Sequence, residues 1–147
     1  MTCRNSQAMT SVIEIREMMN QGRITELNSL VSGDFFSVFS LGKIGEYETY
    51  DAESYRQGNI DANEYYSGKN PRWDYTDFSS GMRGETEFII SSAIDFSLNG
   101  ELKMKALVTE VYRLEQDRWK LARQYMEKYI PSERDSIRED SNREAGG

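Results

Sequence analysis

The sequence contains no histidine, and this absence excludes several classes of chemistry. A Ser-His-Asp or Cys-His nucleophilic site, a histidine-ligated metal site and the usual general base near neutral pH all need an imidazole ring. The single cysteine, Cys3, cannot form an internal disulfide, and one cysteine without histidine makes a zinc site improbable. We therefore expect no metal and no cofactor, and any acid-base chemistry would depend on Asp, Glu, Tyr or Lys.

Long apolar runs and an excess of positive charge are absent as well. No apolar run approaches the ~20 residues that a transmembrane helix needs, and the first thirty residues do not show the charged and then apolar regions of a signal peptide. A formal net charge of −7 argues against nucleic acid or an anionic membrane as a partner. Together with the single cysteine, these features favour a cytoplasmic protein.

The first half of the chain predicts helices and a short strand. Residues 8–21 place Met9, Val12, Ile13 and Met19 near one helical face, and residues 24–32 predict a second, short helix. A strand is expected over 34–41, with a possible return over 44–48. Asp51 is a candidate N-terminal cap for a helix over 51–58, and residues 58–71 predict a helix end and a loop.

The second half predicts strands over 73–80, 86–98, 102–115 and 119–130. Asn99-Gly100 is a strong hairpin signal. Helices followed by an antiparallel meander predict an α+β fold. We expect a flexible N-terminus over 1–7, one domain over 8–131 and a charged, disordered tail over 132–147.

The last hairpin can be aligned through its turn at Gln116-Asp117. This register places four pairs opposite each other: Leu114 and Trp119, Tyr112 and Leu121, Glu110 and Arg123, Val108 and Tyr125. Glu110 and Arg123 would then be an ion pair within apolar rows, where removing one partner is costly.

The Asn99-Gly100 hairpin allows two registers. A two-residue loop without a bulge sets Phe96 against Lys103, which places a core side chain and a solvent-exposed side chain on the same face of the sheet. A three-residue loop or a bulge sets Phe96 against Met104 and Asp95 against Lys105. The second register is favoured because a slip of one residue exchanges the two faces of a strand.

Two segments carry a resemblance to a known family. GRITELNSLVSGDFFSVFSLGKIGE (22–46) resembles the opening of SnoaL-like domains of the nuclear-transport-factor-2-like superfamily, and TEVYRLEQDRWKLARQY (109–125) resembles their last hairpin. The resemblance covers residues 8–130. It implies helices packed into a strongly bent antiparallel sheet that forms a cone with a central pocket, and frequent homodimers through the sheet. Many members carry a histidine six residues after the tryptophan, where this sequence has Tyr125.

Six residues are candidates for the lining of that pocket: Glu110, Arg123, Tyr125, Tyr112, Tyr75 and Asp77. Arg123 could clamp a ligand carboxylate and Glu110 could act as a base, or the two could be a structural pair. The tyrosines could donate to a developing oxyanion or complete the core. Asp74 and Asp77 fall on opposite strand faces, so at most one of them points inward.

The sequence is compatible with three functions. The leading hypothesis is a homodimeric domain that binds a small apolar or carboxylate-bearing molecule. The first alternative is an isomerase, cyclase or dehydratase that uses a buried carboxylate and a tyrosine. The second is an assembly module whose cone is filled by core side chains. A cavity with convergent polar groups favours the first two.

Overall fold

The computed structural model describes residues 4–129. Three helices and six strands follow one another along the chain: α1 (Arg4–Asn20), α2 (Ile24–Ser29), β1 (Val31–Ser40), β2 (Tyr47–Asp51), α3 (Ala52–Tyr65), β3 (Arg72–Arg83), β4 (Glu87–Leu98), β5 (Glu101–Glu115) and β6 (Arg118–Tyr129). Within these residues no helix is long and apolar enough to cross a membrane. The predicted tail over 132–147 lies outside the described residues.

The strands form one six-stranded sheet in the order β2-β1-β6-β5-β4-β3. The α+β architecture is as predicted. The sheet itself is mixed, because β1 pairs in parallel with β6 while the other neighbours are antiparallel. The helices lie on one face of this sheet, which we call the inner face.

Helices α1 and α3 are longer than their sequence patterns predict, whereas α2 ends at Ser29, before its predicted end at residue 32. Helix α1 begins at Arg4, within the segment expected to be flexible, and it buries Ala8 completely. Asp51 caps α3 as predicted, since its Oδ1 accepts a hydrogen bond of 2.8 Å from the backbone N–H of Ser54. That helix continues to Tyr65 through the segment expected to be mostly loop.

The β4–β5 hairpin adopts the favoured register, through a two-residue turn followed by a bulge. Asn99 and Gly100 form a two-residue turn with φ of 50° and 80°, as a type I′ turn requires. A shift after this turn then sets Phe96 against Met104 and Asp95 against Lys105. The Asp95–Lys105 ion pair, at 3.4 Å, is therefore confirmed.

The β5–β6 hairpin contains a bulge that the sequence pattern did not predict. The pairs Leu114–Trp119 and Tyr112–Leu121 are as predicted, but the next pair joins Val111 to Arg123. Ala122 is the extra residue, and its side chain is fully buried. Beyond it the even-numbered side chains of β6 face inward, so the predicted pairs Glu110–Arg123 and Val108–Tyr125 are wrong. Gln124 lies opposite Glu110, and Met126 lies opposite Val108.

The core is divided between the two ends of the sheet. At the first, which we call the closed end, α1 and α2 cover a continuous cluster that includes Val12, Phe35, Phe88, Trp119 and Leu121. At the second, the open end, Ile94, Ala106 and Val108 form a smaller buried cluster, and Trp73, Tyr75, Met104 and Met126 pack around it while partly exposed. The helices thus seal one end and leave space at the other.

Candidate functional site

A cavity of about 360 Å³ lies between α1, α3 and the inner face of the sheet. Most of its wall is apolar, with contributions from Met19, Leu27, Phe39, Trp73, Ile94, Met104 and Met126. One face of α3 supplies another part of the wall through Tyr55, Gly58, Asn59, Ala62 and Asn63, spaced as successive helical turns. A cavity of this volume is within the range of small-molecule sites.

A buried polar cluster lies deep in the cavity around Glu110, which is 4% exposed. Tyr112 Oη donates to Glu110 Oε1 at 3.2 Å, and Gln124 Nε2 donates to Glu110 Oε2 at 2.9 Å. Gln124 Nε2 also lies 3.4 Å from the hydroxyl of Tyr55. The bulge at Ala122 creates this cluster, because it turns Gln124 toward the cavity.

Protonation of this cluster follows from its burial. Loss of solvent raises the pKa of Glu110, and the hydrogen bonds from Gln124 and Tyr112 only partly oppose that rise. Burial also raises the pKa of Tyr55, Tyr75 and Tyr112, and a charge on Glu110 would raise each of them further. The phenols therefore remain neutral donors, and Glu110 is biased toward its neutral acid.

A second polar group lies on the same wall and is centred on Arg16 of α1. Arg16 contacts Asp77 through two hydrogen bonds, of 2.8 and 3.2 Å, and its guanidinium carbon lies 4.0 Å from the centre of the Tyr75 ring. Ser92 Oγ donates to Asp77 at 2.7 Å. The Arg16 Nε–H is buried without an acceptor in the described part of the chain, so the carboxylate and the ring hold the guanidinium despite that cost.

The charges of this pair stabilise each other. Burial acts to raise the pKa of Asp77, but hydrogen bonds from Arg16 and Ser92 outweigh it and hold the pKa below its usual range. Burial acts to lower the pKa of Arg16, and the hydrogen bond and charge of Asp77 reverse that effect. The pair is therefore ionised, and it contributes no net charge to the cavity.

The structure brings only some of the predicted residues together. Glu110, Tyr112 and Tyr75 line the cavity. Asp77 does not line the cavity itself but forms an ion pair with Arg16, which does. Asp74 lies on the opposite strand face, as the alternation of faces predicted, and pairs with Arg72.

Arg123 and Tyr125 lie on the outer face of the sheet. Tyr125 is 46% exposed and pairs with Thr109 and Val38. The guanidinium of Arg123 donates to the backbone oxygen of Asp34 at 2.8 Å and lies 3.9 Å from its carboxylate. The predicted partner of Arg123 was wrong because the bulge reverses the direction of its side chain.

The cavity residues that were not singled out from the sequence include Arg16, Tyr55, Gln124 and Lys128. Arg16 has a signal, since it follows Val12 by four positions within the apolar stripe of α1. Gln124 has a weaker one, the adjacent apolar residues Leu121 and Ala122, which a bulge can bury together. Tyr55 shows no distinguishing pattern. It packs against Phe35, with ring centres 4.4 Å apart, but the rest of its face of α3 borders the cavity and is not marked by apolar residues.

No family model matches the chain, and no curated protein matches it in sequence. Solved structures do match its fold. A cystatin-like domain of unknown function from Nostoc punctiforme is 12% identical, with a TM-score of 0.67 over 95% of this chain and 86% of that one. A nuclear-transport-factor-2-like protein of unknown function from Silicibacter pomeroyi is 16% identical, with a TM-score of 0.63 over 88% of this chain and 100% of that one.

A proposed Ca/calmodulin-dependent kinase II association domain from Exiguobacterium sibiricum is also similar, at 18% identity and a TM-score of 0.63 over 90% of this chain and 98% of that one. Identities this low establish the architecture and not the chemistry. The helices, the bent six-stranded sheet and these matches together show that the chain has the nuclear-transport-factor-2-like, cystatin-like α+β fold.

Proposed function

We propose that the chain is a binding domain for a small, largely apolar molecule that enters the open end of the cone. The observation that carries this proposal is the cavity itself, which joins an apolar wall to a buried polar cluster at Glu110. Binding sites combine apolar walls with a few placed polar groups in this way. The SnoaL-like subfamily remains a prediction from the sequence.

A filled cone does not agree with this geometry. An assembly module that used the cone only as core would be expected to close it with large side chains, as at the closed end. Instead Gly58 and Ala62 of α3 face the space, and a Cβ atom built on Gly58 meets no atom within 4 Å. Small residues on a helix that borders open space favour a bound molecule.

A substitution at Gly58 tests the binding proposal. Gly58→Leu extends a side chain from the cavity wall, and Gly58→Ala is its matched control. We expect both variants to fold, with Gly58→Ala more stable by about 0.5–1 kcal/mol because alanine favours a helix interior. Native mass spectrometry of the purified proteins should find a retained ligand, or added decanol, on wild type and Gly58→Ala. Equal retention by Gly58→Leu would contradict binding in the cone.

A proton-transfer enzyme is the second candidate, and the raised pKa of Glu110, caused by burial, favours it. Ionised Glu110 would take a proton from the carbon next to a carbonyl group in the cavity, and Tyr112 or Tyr55 would donate a hydrogen bond to the enolate oxygen that forms. The protonated Glu110 would then return a proton to the carbon. The test is incorporation of solvent deuterium next to the carbonyl group of cyclic ketones, followed by NMR. Exchange that is lost in Glu110→Gln supports catalysis, and no exchange by the wild type across the series rejects it for this substrate class.

Self-association through the outer face of the sheet is the remaining part of the proposal. An apolar stripe, which we call the outer-face stripe, crosses the sheet through Phe36, Val38, Phe78, Leu107 and Tyr125. Three members, Phe78, Leu107 and Tyr125, are 62%, 54% and 46% exposed. Exposed apolar patches of this kind mark interfaces.

The oligomeric state tests this stripe directly. We expect light scattering coupled to gel filtration to give twice the chain mass for the wild type and the single-chain mass for Tyr125→Lys. Tyr65→Lys, at an exposed residue of α3 on the opposite face of the sheet, should leave the mass unchanged. A wild type that is monomeric at micromolar concentration would reject the dimer.

A further inference from the structure

We infer that the molecule bound in the cone carries an anionic head group, a carboxylate, which Lys128 holds at the mouth of the cavity. This inference rests on the proposed binding function and adds the chemical class of the ligand. It assigns an amphipathic carboxylate, with its apolar body inside the cone and its acid at the rim.

The charges that line the cavity lead to Lys128. Apart from the tyrosines, three lining residues are ionisable: Arg16, Glu110 and Lys128. Arg16 is neutralised by two hydrogen bonds to Asp77. Burial biases Glu110 toward its neutral form by raising its pKa. Lys128 is therefore the remaining charged side chain on the described wall that has no hydrogen-bond partner there.

Lys128 has no carboxylate partner among the residues that the structure describes. Its Nζ lies 5.9 Å from the centre of the Phe39 ring, at the outer limit of a cation–π contact. Tyr50, also on the wall, stays a neutral phenol because its hydrogen bond to Glu48 raises its pKa to about 12. Glu48 is itself held by that phenol. The ammonium group is thus available to an incoming anion.

The position of Lys128 along its strand sets the length of the ligand. Gln124, Met126 and Lys128 face inward on β6, and Gln124 contacts Glu110 at the deep end. Four residues of strand span about 13 Å. Between these levels the walls are apolar, with Met104, Met126 and Ile94. A ligand with a medium-length hydrocarbon or aryl body and one terminal carboxylate therefore matches the apolar walls along its length and Lys128 at its acid end.

Gly42 fixes the strand at this level of the cavity. A Cβ atom built on Gly42 would lie 2.8 Å from the backbone oxygen of Lys128, and its φ of 86° is left-handed. The loop after β1 therefore approaches β6 closely only because residue 42 has no side chain. This contact holds the backbone of Lys128 beside the mouth.

Fluorescence of Trp73, which lines the cavity, gives a direct assay on the full chain. Decanoate and decanol share an apolar body and differ in charge, so the pair isolates the head group. We expect the wild type to bind decanoate about tenfold more tightly than decanol, as a charge-assisted contact at a half-buried site would provide. Lys128→Met should remove this preference by weakening the binding of decanoate about tenfold, so that the two Kd values become similar. Lys120→Met, which removes a charge from the outer side of β6, should change neither.

The outcomes separate the ligand class from the binding function. Equal affinity of the wild type for decanol and decanoate, or an unchanged decanoate Kd in Lys128→Met, overturns the carboxylate assignment while the cavity remains a binding site. No binding of either compound by the wild type overturns the proposed function and this inference with it. Circular dichroism of Lys128→Met confirms that a loss of affinity does not reflect unfolding.

Discussion

The two ends of the cone are built from the same strands but are packed differently. At the closed end, Phe88 of β4 and Val12 of α1 are fully buried, and Trp119 of β6 is almost so. At the open end of the same strands, Met104 and Met126 are only partly buried and border the cavity. The difference arises from the helices, because α1 and α2 cover the closed end.

This comparison separates stability from binding. Apolar side chains at the closed end are in contact on all sides, so they account for most of the free energy of burial. Side chains at the open end lack neighbours on the cavity side and gain less from folding. Stability should therefore depend on the closed end, and ligand affinity on the open end.

The largest expected effect is at the closed end. Phe88→Ala removes a fully buried ring and should lower the free energy of unfolding by about 3–5 kcal/mol. Met104→Ala at the open end should cost about 1 kcal/mol, because its side chain already borders open space. Urea denaturation followed by circular dichroism measures both. Similar costs for the two variants would contradict the proposed division of the cone.

An intermediate effect is expected at the ion pair between α1 and β3. Arg16→Met leaves Asp77 with Ser92 as its hydrogen-bond donor, and we expect a loss of about 1–2 kcal/mol because Asp77 is partly exposed. Asp74→Asn is the matched control on the same strand, since its pair with Arg72 is exposed and should contribute less than about 0.5 kcal/mol. If both changes have the same small effect, the Arg16 pair is not a structural link.

The smallest effect should depend on pH. Burial raises the pKa of Glu110 above its ordinary value of 4.5. The stability that neutral Glu110 contributes is therefore complete below that value and is lost as pH rises through the raised pKa. Glu110→Gln keeps the shape without ionising, so we expect it to be more stable than the wild type by about 1 kcal/mol near pH 8.

At about pH 4 the difference between Glu110→Gln and the wild type should nearly vanish, because both side chains are then neutral. Thermal unfolding of both proteins across this range of pH measures the trend. A difference that is constant with pH, or that grows toward acid, would show that Glu110 is not a buried acid of raised pKa.

Much of the fold can be predicted from the sequence because its patterns are local. Asn99-Gly100 specifies a turn, and the apolar row of β4 selects the register that places Phe96 against Met104. The extent of α3 could not be predicted in the same way. Its inner face borders a cavity, so the residues beyond Gly58 show no apolar stripe to mark them as helical.

The site was harder to predict, because one residue decides which side chains enter it. Ala122 reverses the alternation in β6, which exchanges Arg123 and Tyr125 for Gln124 and Met126. The alternating pattern after Leu121 does not show which side chains face inward. Arg123 with Tyr125, and Gln124 with Met126, each combine one polar side chain with one apolar or aromatic side chain. Glu110, Tyr112 and Tyr75 lie on strands without this reversal, and they were placed on the cavity side.

The methionine methyl groups test the central claim most directly. Met19, Met104 and Met126 line the cavity, and Met19 also packs against the closed-end cluster. Met9 and Met82 pack at the closed end and do not line the cavity. In a ¹³C-methyl NMR titration with decanol, we predict saturable shifts at the three cavity methionines and unchanged signals at Met9 and Met82. Absence of shifts at Met104 and Met126, or equal shifts at both ends, would contradict a binding site in the open end of the cone.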